Sequence, residues 1–157
     1  MRRGQAMIET VLAVLFITFV FLTVYQVSHR LSARILMDHA AARAARAKAV
    51  GFNDFMCRKT ARVAMIPVAG RRLWPVEADD IDEVARIPIY LSTDHEAMAR
   101  GVLEYEHWGG MGCEVRSGGG LGATVDACLR LETEDFVVKG EASVESHYPL
   151  YMFDQGL

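Results

Sequence analysis

The sequence predicts an α+β protein: a long N-terminal transmembrane and stem helix, then a small head in which an antiparallel β hairpin or sheet packs on short helices. Three observations predict it. The run Val11–Val27 (VLAVLFITFVFLTVYQV) carries no charge, no Gly and no Pro. Ser28–Val50 continues with almost no helix breaker and many Ala, Leu, Arg and Lys, all good helix formers. Far downstream, two segments alternate polar and apolar side chains with period two, the spacing of a half-buried strand.

Composition bounds the answer without naming it. A chain of 157 residues, 52% apolar and 24% charged, fits one small folded domain plus an anchor. The net charge of −3 averages two unlike halves. Ser28–Arg72 holds ten Lys/Arg against two acids, whereas Leu73 to the end holds five against seventeen. A basic stem thus precedes an acidic head. No nucleic-acid-binding motif accompanies the basic residues, and an apolar segment precedes them, so a solvated helix is the better reading than a nucleic-acid surface.

The N-terminal segment is the informative part. A spanning helix needs about 20 mostly apolar residues. Extending Val11–Val27 back through Ala6–Thr10 reaches that length but takes in Glu9. A cleaved secretory signal has a shorter apolar core of about 7–15 residues and a small-residue cleavage site close behind it. Here Ser28-His29-Arg30-Leu31 follows, and Ala40-Ala41-Ala42 is too distant. A plain signal anchor leaves Glu9 explained only by snorkelling at the membrane edge, since a carboxylate deep in lipid costs about 2.5–3.5 kcal/mol. Cleavage after Gly4 gives Glu9 a purpose. Gln5 becomes the N-terminus, its α-amino group is positive, and Glu9 stands four residues on, on the same helix face. That carboxylate then pairs with its own amine or with that of a neighbouring subunit and favours one axial register.

Met1-Arg2-Arg3-Gly4 before Gln5-Ala6-Met7-Ile8-Glu9 and the apolar run resembles the class of type IV pilin signals cut by a prepilin peptidase. More narrowly, the chain resembles TadE-like minor pseudopilins of the tight-adherence pilus, and the stretch Ala40–Gly51 (AAARAARAKAVG) resembles the Ala/Arg-rich helix end of that family. The likeness covers about the first third of the chain, and Thr10 stands where many relatives carry Phe. It implies a leader over residues 1–4, a helix over 5–50 and an extracytoplasmic head over 51–157. It implies a prepilin peptidase cutting between Gly4 and Gln5, assembly with other pilin or pseudopilin subunits on an inner-membrane platform, Glu9 setting register, a lipid bilayer around the helix, and no enzymatic activity of the chain's own. The positive-inside rule alone favours the opposite orientation, because Arg30, Arg34, Arg43, Arg46 and Lys48 flank the far side. The resemblance overrides it and implies a cytoplasmic N-terminus. An uncleaved single-pass protein with a ligand-binding or partner-binding head, and a pseudopilin of a secretion machine, stand as alternatives.

Each element follows in order. Gly51 is the expected cap of the first helix, with Lys48 in its last turn against the helix dipole. One helix from Gln5 to Val50 is about 65–70 Å long at 1.5 Å per residue. Its outer half is Ala-rich, which either reflects helix propensity or permits close helix approach. A short helix is expected over Asp54–Met65, capped by Asn53 or Asp54 and ended by Pro67 and Gly70. Asp79–Glu83 (DDIDE) reads as a solvated acidic loop, lacking the spacing and glycine of a calcium-binding loop. Ile87–Leu91 reads as a strand, with Pro88 assigning it to an edge. Thr93-Asp94-His95-Glu96 fits a capping box opening a helix to about His107, with Met98, Val102, Tyr105 and Trp108 as its apolar stripe and Gly101 as a weak point. The Gly-rich Gly109–Gly122 reads as a flexible hairpin tip. Ala123–Leu131 then places Ala123, Val125, Ala127, Leu129 and Leu131 on one face, and a turn over Glu132–Asp135 leads to a second run with Val138, Gly140, Ala142, Val144 and Tyr148 inward.

No catalytic set, cofactor motif or metal spacing emerges. His95-Glu96 begins like a zinc-protease helix, but Ala99 stands where the second His belongs, and the Gly-rich segment lacks the Lys-Ser/Thr of a phosphate loop. The three cysteines are Cys57, Cys113 and Cys128, an odd number. Cys113 and Cys128 bracket Gly-rich chain and form the candidate disulfide. In an oxidising compartment that loop contributes about 3 kcal/mol.

Overall fold

A computed structural model describes residues 2–76, 83–118, 123–133 and 137–146. It is α+β, with one long N-terminal helix followed by a head of antiparallel sheets and short helices. Helix α1 runs Arg2–Ala49. It ends as the sequence expects: Gly51 takes φ +101°, a left-handed conformation only glycine adopts freely. The Phe52 N–H donates to Ala47 O at 3.1 Å and the Gly51 N–H to Lys48 O at 2.9 Å, which closes the last turn in a Schellman motif. Lys48 Nζ donates to Asp54 Oδ1 at 2.7 Å and so ties this end to the next helix.

The chain divides into two compact units, Met1–Ala33 and Arg34–Leu157. In the first, the large apolar side chains between Met7 and Val27 are exposed, Phe21 at 70% and Phe16 at 69%. In the second, the remainder of α1 is two-faced. Met37, Ala40, Ala41, Ala44, Ala45 and Ala49 are buried, while Arg34, Ile35, Asp38, His39, Arg43 and Arg46 are exposed. The buried positions recur at three and four residues, one stripe of a helix.

That stripe meets a three-stranded antiparallel sheet of order β3-β4-β5, comprising β3 (Met111–Ser117), β4 (Thr124–Glu132) and β5 (Val137–Glu145). A methyl group at Gly140 on β5 would collide with the Met37 backbone, so helix and strand touch with no side chain between them. The Glu141 N–H donates to Asp38 Oδ1 at 3.4 Å beside that contact. The small residues of the stem therefore admit the head's own sheet. Strand β4 alternates as expected, with Val125, Ala127, Leu129 and Leu131 buried and the residues between them exposed. On β5, Val138, Gly140, Ala142 and Val144 face the same way as the buried residues of β4. The strand β3 was not expected: residues 111–117, within the segment read as a flexible tip, pair along β4 from Met111↔Leu131 to Ser117↔Val125.

A helical layer completes the head. Helix α2 (Asp54–Ala64) starts at Asn53, whose Oδ1 accepts from the Met56 N–H at 2.8 Å. It is two-sided. Cys57, Ala61 and Met65 are buried along one line, and α2 packs on β3. Phe55, Val63 and Ile66 pack on a separate core of Ala69, Tyr90, Ala99, Leu103, Tyr105 and Trp108.

Two expectations need correction here. Ile87–Leu91 is not a strand but lies within helix α3 (Glu83–Ser92), with Pro88 inside it. Ile87, Tyr90 and Leu91 stand at i, i+3 and i+4, and all three join that core. This helical spacing outweighs the one hydrogen bond Pro88 forgoes. The proposed capping box is also wrong. Helix α4 spans only Glu96–Val102, with His95 at its N-cap and no side-chain cap bond. Thr93 instead turns back, its Oγ1 donating to Ile89 O at 2.8 Å at the end of α3. Beyond Val102 the chain extends as β2 (Glu104–Tyr105), which pairs with β1 (Arg72–Trp74). A 3₁₀ turn over Glu106–Trp108 follows. Of the predicted stripe, Met98 is exposed, and Tyr105 and Trp108 reach the core from outside the helix. The acidic residues 79–82, the turn at 134–135, Tyr148 and the apolar tail lie outside the described residues.

Candidate functional site

The predicted site lies at the start of α1. Gly4, Gln5 and Glu9 all fall within the helix, so Gln5 and Glu9 stand one turn apart on one face. Glu9 is exposed and lies among exposed apolar neighbours, Met7 at 72% and Ile8 at 64%. Among the described residues it has no ion-pair partner. The threonines further along are treated differently: Thr18 Oγ1 donates to Val14 O at 2.9 Å and Thr23 Oγ1 to Phe19 O at 2.8 Å. Their hydroxyls are satisfied inside the helix, as apolar surroundings require. Glu9 is thus an exposed carboxylate in an apolar stretch of helix. Among the described residues, α1 is the one helix long and apolar enough to cross a membrane.

The cysteines are not placed as the sequence suggested. Cys113 pairs across the sheet with Leu129, and Cys128 with Glu114. Cys113 therefore shares the inner face with buried Leu129, while Cys128 is on the outer face. Successive strand positions point to opposite sides, so a Cys113–Cys128 bond cannot span them without disrupting the register. All three thiols are free, and Cys57 is fully buried.

The head holds a polar set that sequence reasoning missed. Lys59 is 0% exposed, yet its Nζ donates to Leu91 O at 2.9 Å and to Thr93 O. The ammonium lies 4.7 Å from the centre of the Phe55 ring and 5.4 Å from that of Tyr90. Burial lowers its pKa below the ordinary lysine value, with nearby Asp94 opposing the shift. The signal was present in sequence as a lysine in the apolar line of Phe55, Val63 and Ile66. Beside it, Arg62 reaches Glu96 at 3.6 Å. Arg100 bonds the same carboxylate at 3.2 Å and, with Arg62, holds its pKa below the usual range. Glu104 is shifted the other way, raised by burial. Trp108 stacks obliquely between Tyr90 and Tyr105, with ring centres at 5.3 and 4.8 Å. This set braces the helical layer.

The outer face of the sheet bears a shallow open groove lined by Glu114, Arg116, Asp126, Cys128, Glu141 and Ser143. Its charges are mixed, and Arg116 pairs with Glu114 at 3.3 Å. Among the described residues no three His, Cys, Asp or Glu side chains gather to hold a metal ion. No protein-family model matches the chain, and no curated protein or solved structure matches it.

Proposed function

We propose that the chain is a minor pilin or pseudopilin of the tight-adherence type, anchored in the inner membrane by α1 with its N-terminus cytoplasmic and its head outside. A prepilin peptidase cuts between Gly4 and Gln5. The mature helix then assembles with other pilin subunits on the membrane platform, and Glu9 sets the register by meeting a Gln5 α-amino group. The observation that carries this reading is the exposed carboxylate of Glu9 in an apolar helix, one turn beyond Gln5 and without an ion-pair partner among the described residues. A carboxylate so placed is costly in lipid unless a cation joins it, and cleavage creates that cation at i−4. The exposed apolar surface of Met7–Val27 supports a lipid or helix-bundle environment. The head supplies contacts within the filament or its priming complex.

The test is the N-terminal mass of the protein isolated from its native membrane, alone and as Glu9→Ala. A chain starting at Gln5, with the variant inserted and processed but poorly assembled, is expected. A chain starting at Met1 in cells that contain the peptidase would overturn processing and leave an uncleaved single-pass envelope protein. Normal assembly of Glu9→Ala would remove the role given to the carboxylate.

A further inference from the structure

Helix α2 presents one line of residues to the sheet. Cys57, Ala61 and Met65 recur at four residues and are buried, and α2 packs directly on β3. On β3 the inner positions are Met111, Cys113, Val115 and Ser117, because Cys113 sits opposite Leu129 in the register and Leu129 is fully buried. The side chain of Cys113 therefore points into the α2–β3 interface. Cys57 lies in the first turns of α2, fully buried. The third cysteine, Cys128, is exposed on the opposite face of the sheet.

We infer that Cys57 and Cys113 are a disulfide site that staples α2 to β3 when the head folds in the presence of an exchangeable disulfide. The surroundings of Cys113 agree with this placement. After burial itself, the groups whose charge reaches its thiol are Cys57, Arg58, Asp54 and Arg62, all on α2. The Cys113 thiol is pushed up to about 11, and burial raises that of Cys57 as well. Both are protonated at neutral pH in the closed head, and only the thiolate attacks a disulfide. Pairing therefore belongs to folding, before the interface closes.

The chemistry balances as two exchanges. One cysteine thiolate attacks a small disulfide RS–SR, forming a mixed disulfide and releasing RS⁻. The second thiolate attacks the protein sulfur of that mixed disulfide, forming the Cys57–Cys113 bond and releasing the second RS⁻. The two protons from the cysteines go to the released thiolates. The protein pair is oxidised by two electrons and RS–SR is reduced to two RSH.

The bond needs only an oxidant of this class, so its test is separate from that of the pilin reading. The full-length chain in detergent micelles is reduced, unfolded and refolded with a mixture of oxidised and reduced glutathione. Free thiols are then alkylated and the digest is mapped by mass spectrometry. The expected product is two hydrogens lighter, with the peptides of Cys57 and Cys113 joined and Cys128 alkylated. Cys128→Ser leaves the link intact, and Cys113→Ser abolishes it without creating one between Cys57 and Cys128. Glutathione added after refolding under reducing conditions gives the link at least tenfold more slowly. Alkylation of all three thiols after oxidative refolding, or a link that contains Cys128, would overturn the assignment.

Discussion

At position 59 the chain puts an ammonium where its helical neighbours put apolar side chains. Lys59 spans the gap between α2 and the end of α3, donating hydrogen bonds to Leu91 O and Thr93 O while Phe55 and Tyr90 flank the charge. These carbonyls lie where α3 runs out of intrahelical donors, so the lysine acts as its cap from a distance. Lys59→Met keeps the length and volume of the stem but leaves both carbonyls without this donor. It is expected to lose about 1–3 kcal/mol of stability in urea unfolding. A midpoint equal to that of the parent protein would show that the cap contributes nothing. At this scale the sequence was read well where a residue acts on its own neighbours, as Asn53 and Gly51 do. It was read poorly where the partner is distant. Thr93 had a local partner in either direction, and bonding back to Ile89 O prevailed over capping forward.

Among the elements, β4 and β5 were legible because half-burial writes period two directly into the residues. The same pattern is present in β3, where Met111, Cys113 and Val115 alternate with Gly112, Glu114 and Arg116, but the surrounding glycines argued for a loop. Helix α3 failed for the opposite reason: Pro88 was given more weight than the spacing of Ile87, Tyr90 and Leu91. The stem's alanines were seen without their partner, because nothing local shows that a strand lies across them. Gly140 is that partner. Gly140→Ala places a methyl group on the Met37 backbone and is expected to cost about 1–3 kcal/mol, or more if the strand cannot shift. Thermal unfolding of the variant measures this, and an unchanged midpoint would mean that β5 lifts freely from the helix.

For the molecule as a whole, the composition marks Gly51 as the point where helix gives way to head, whereas the compact unit begins at Arg34. The intervening turns are a wall of the head's core, with Met37, Ala40, Ala41, Ala44 and Ala45 buried. A fragment beginning at Arg34 is therefore expected to be soluble and to unfold cooperatively. One beginning at Gly51 should expose the apolar face of the sheet and aggregate. Equal solubility and equal cooperativity of the two fragments would place the boundary back at Gly51. The fold class was legible in the sequence, and the candidate site was read from the sequence alone. Gly4, Gln5 and Glu9 were picked out by type and spacing, and their proposed partners are a peptidase and other chains, so the fold of one chain adds only their place in α1, the exposure of Glu9 and, among the described residues, its lack of an ion-pair partner.

The contact of Gly140 with Met37 also has a mechanical meaning. Residues 34–49 of α1 are a wall of the head, and at Gly140 the sheet rests on the backbone of that wall with no side chain between them. A load on that wall passes from backbone to backbone into β5, then across the hydrogen-bonded ladder to β4. Within the head, that wall and β5 yield together, and they part only when the sheet is sheared from the alanine face.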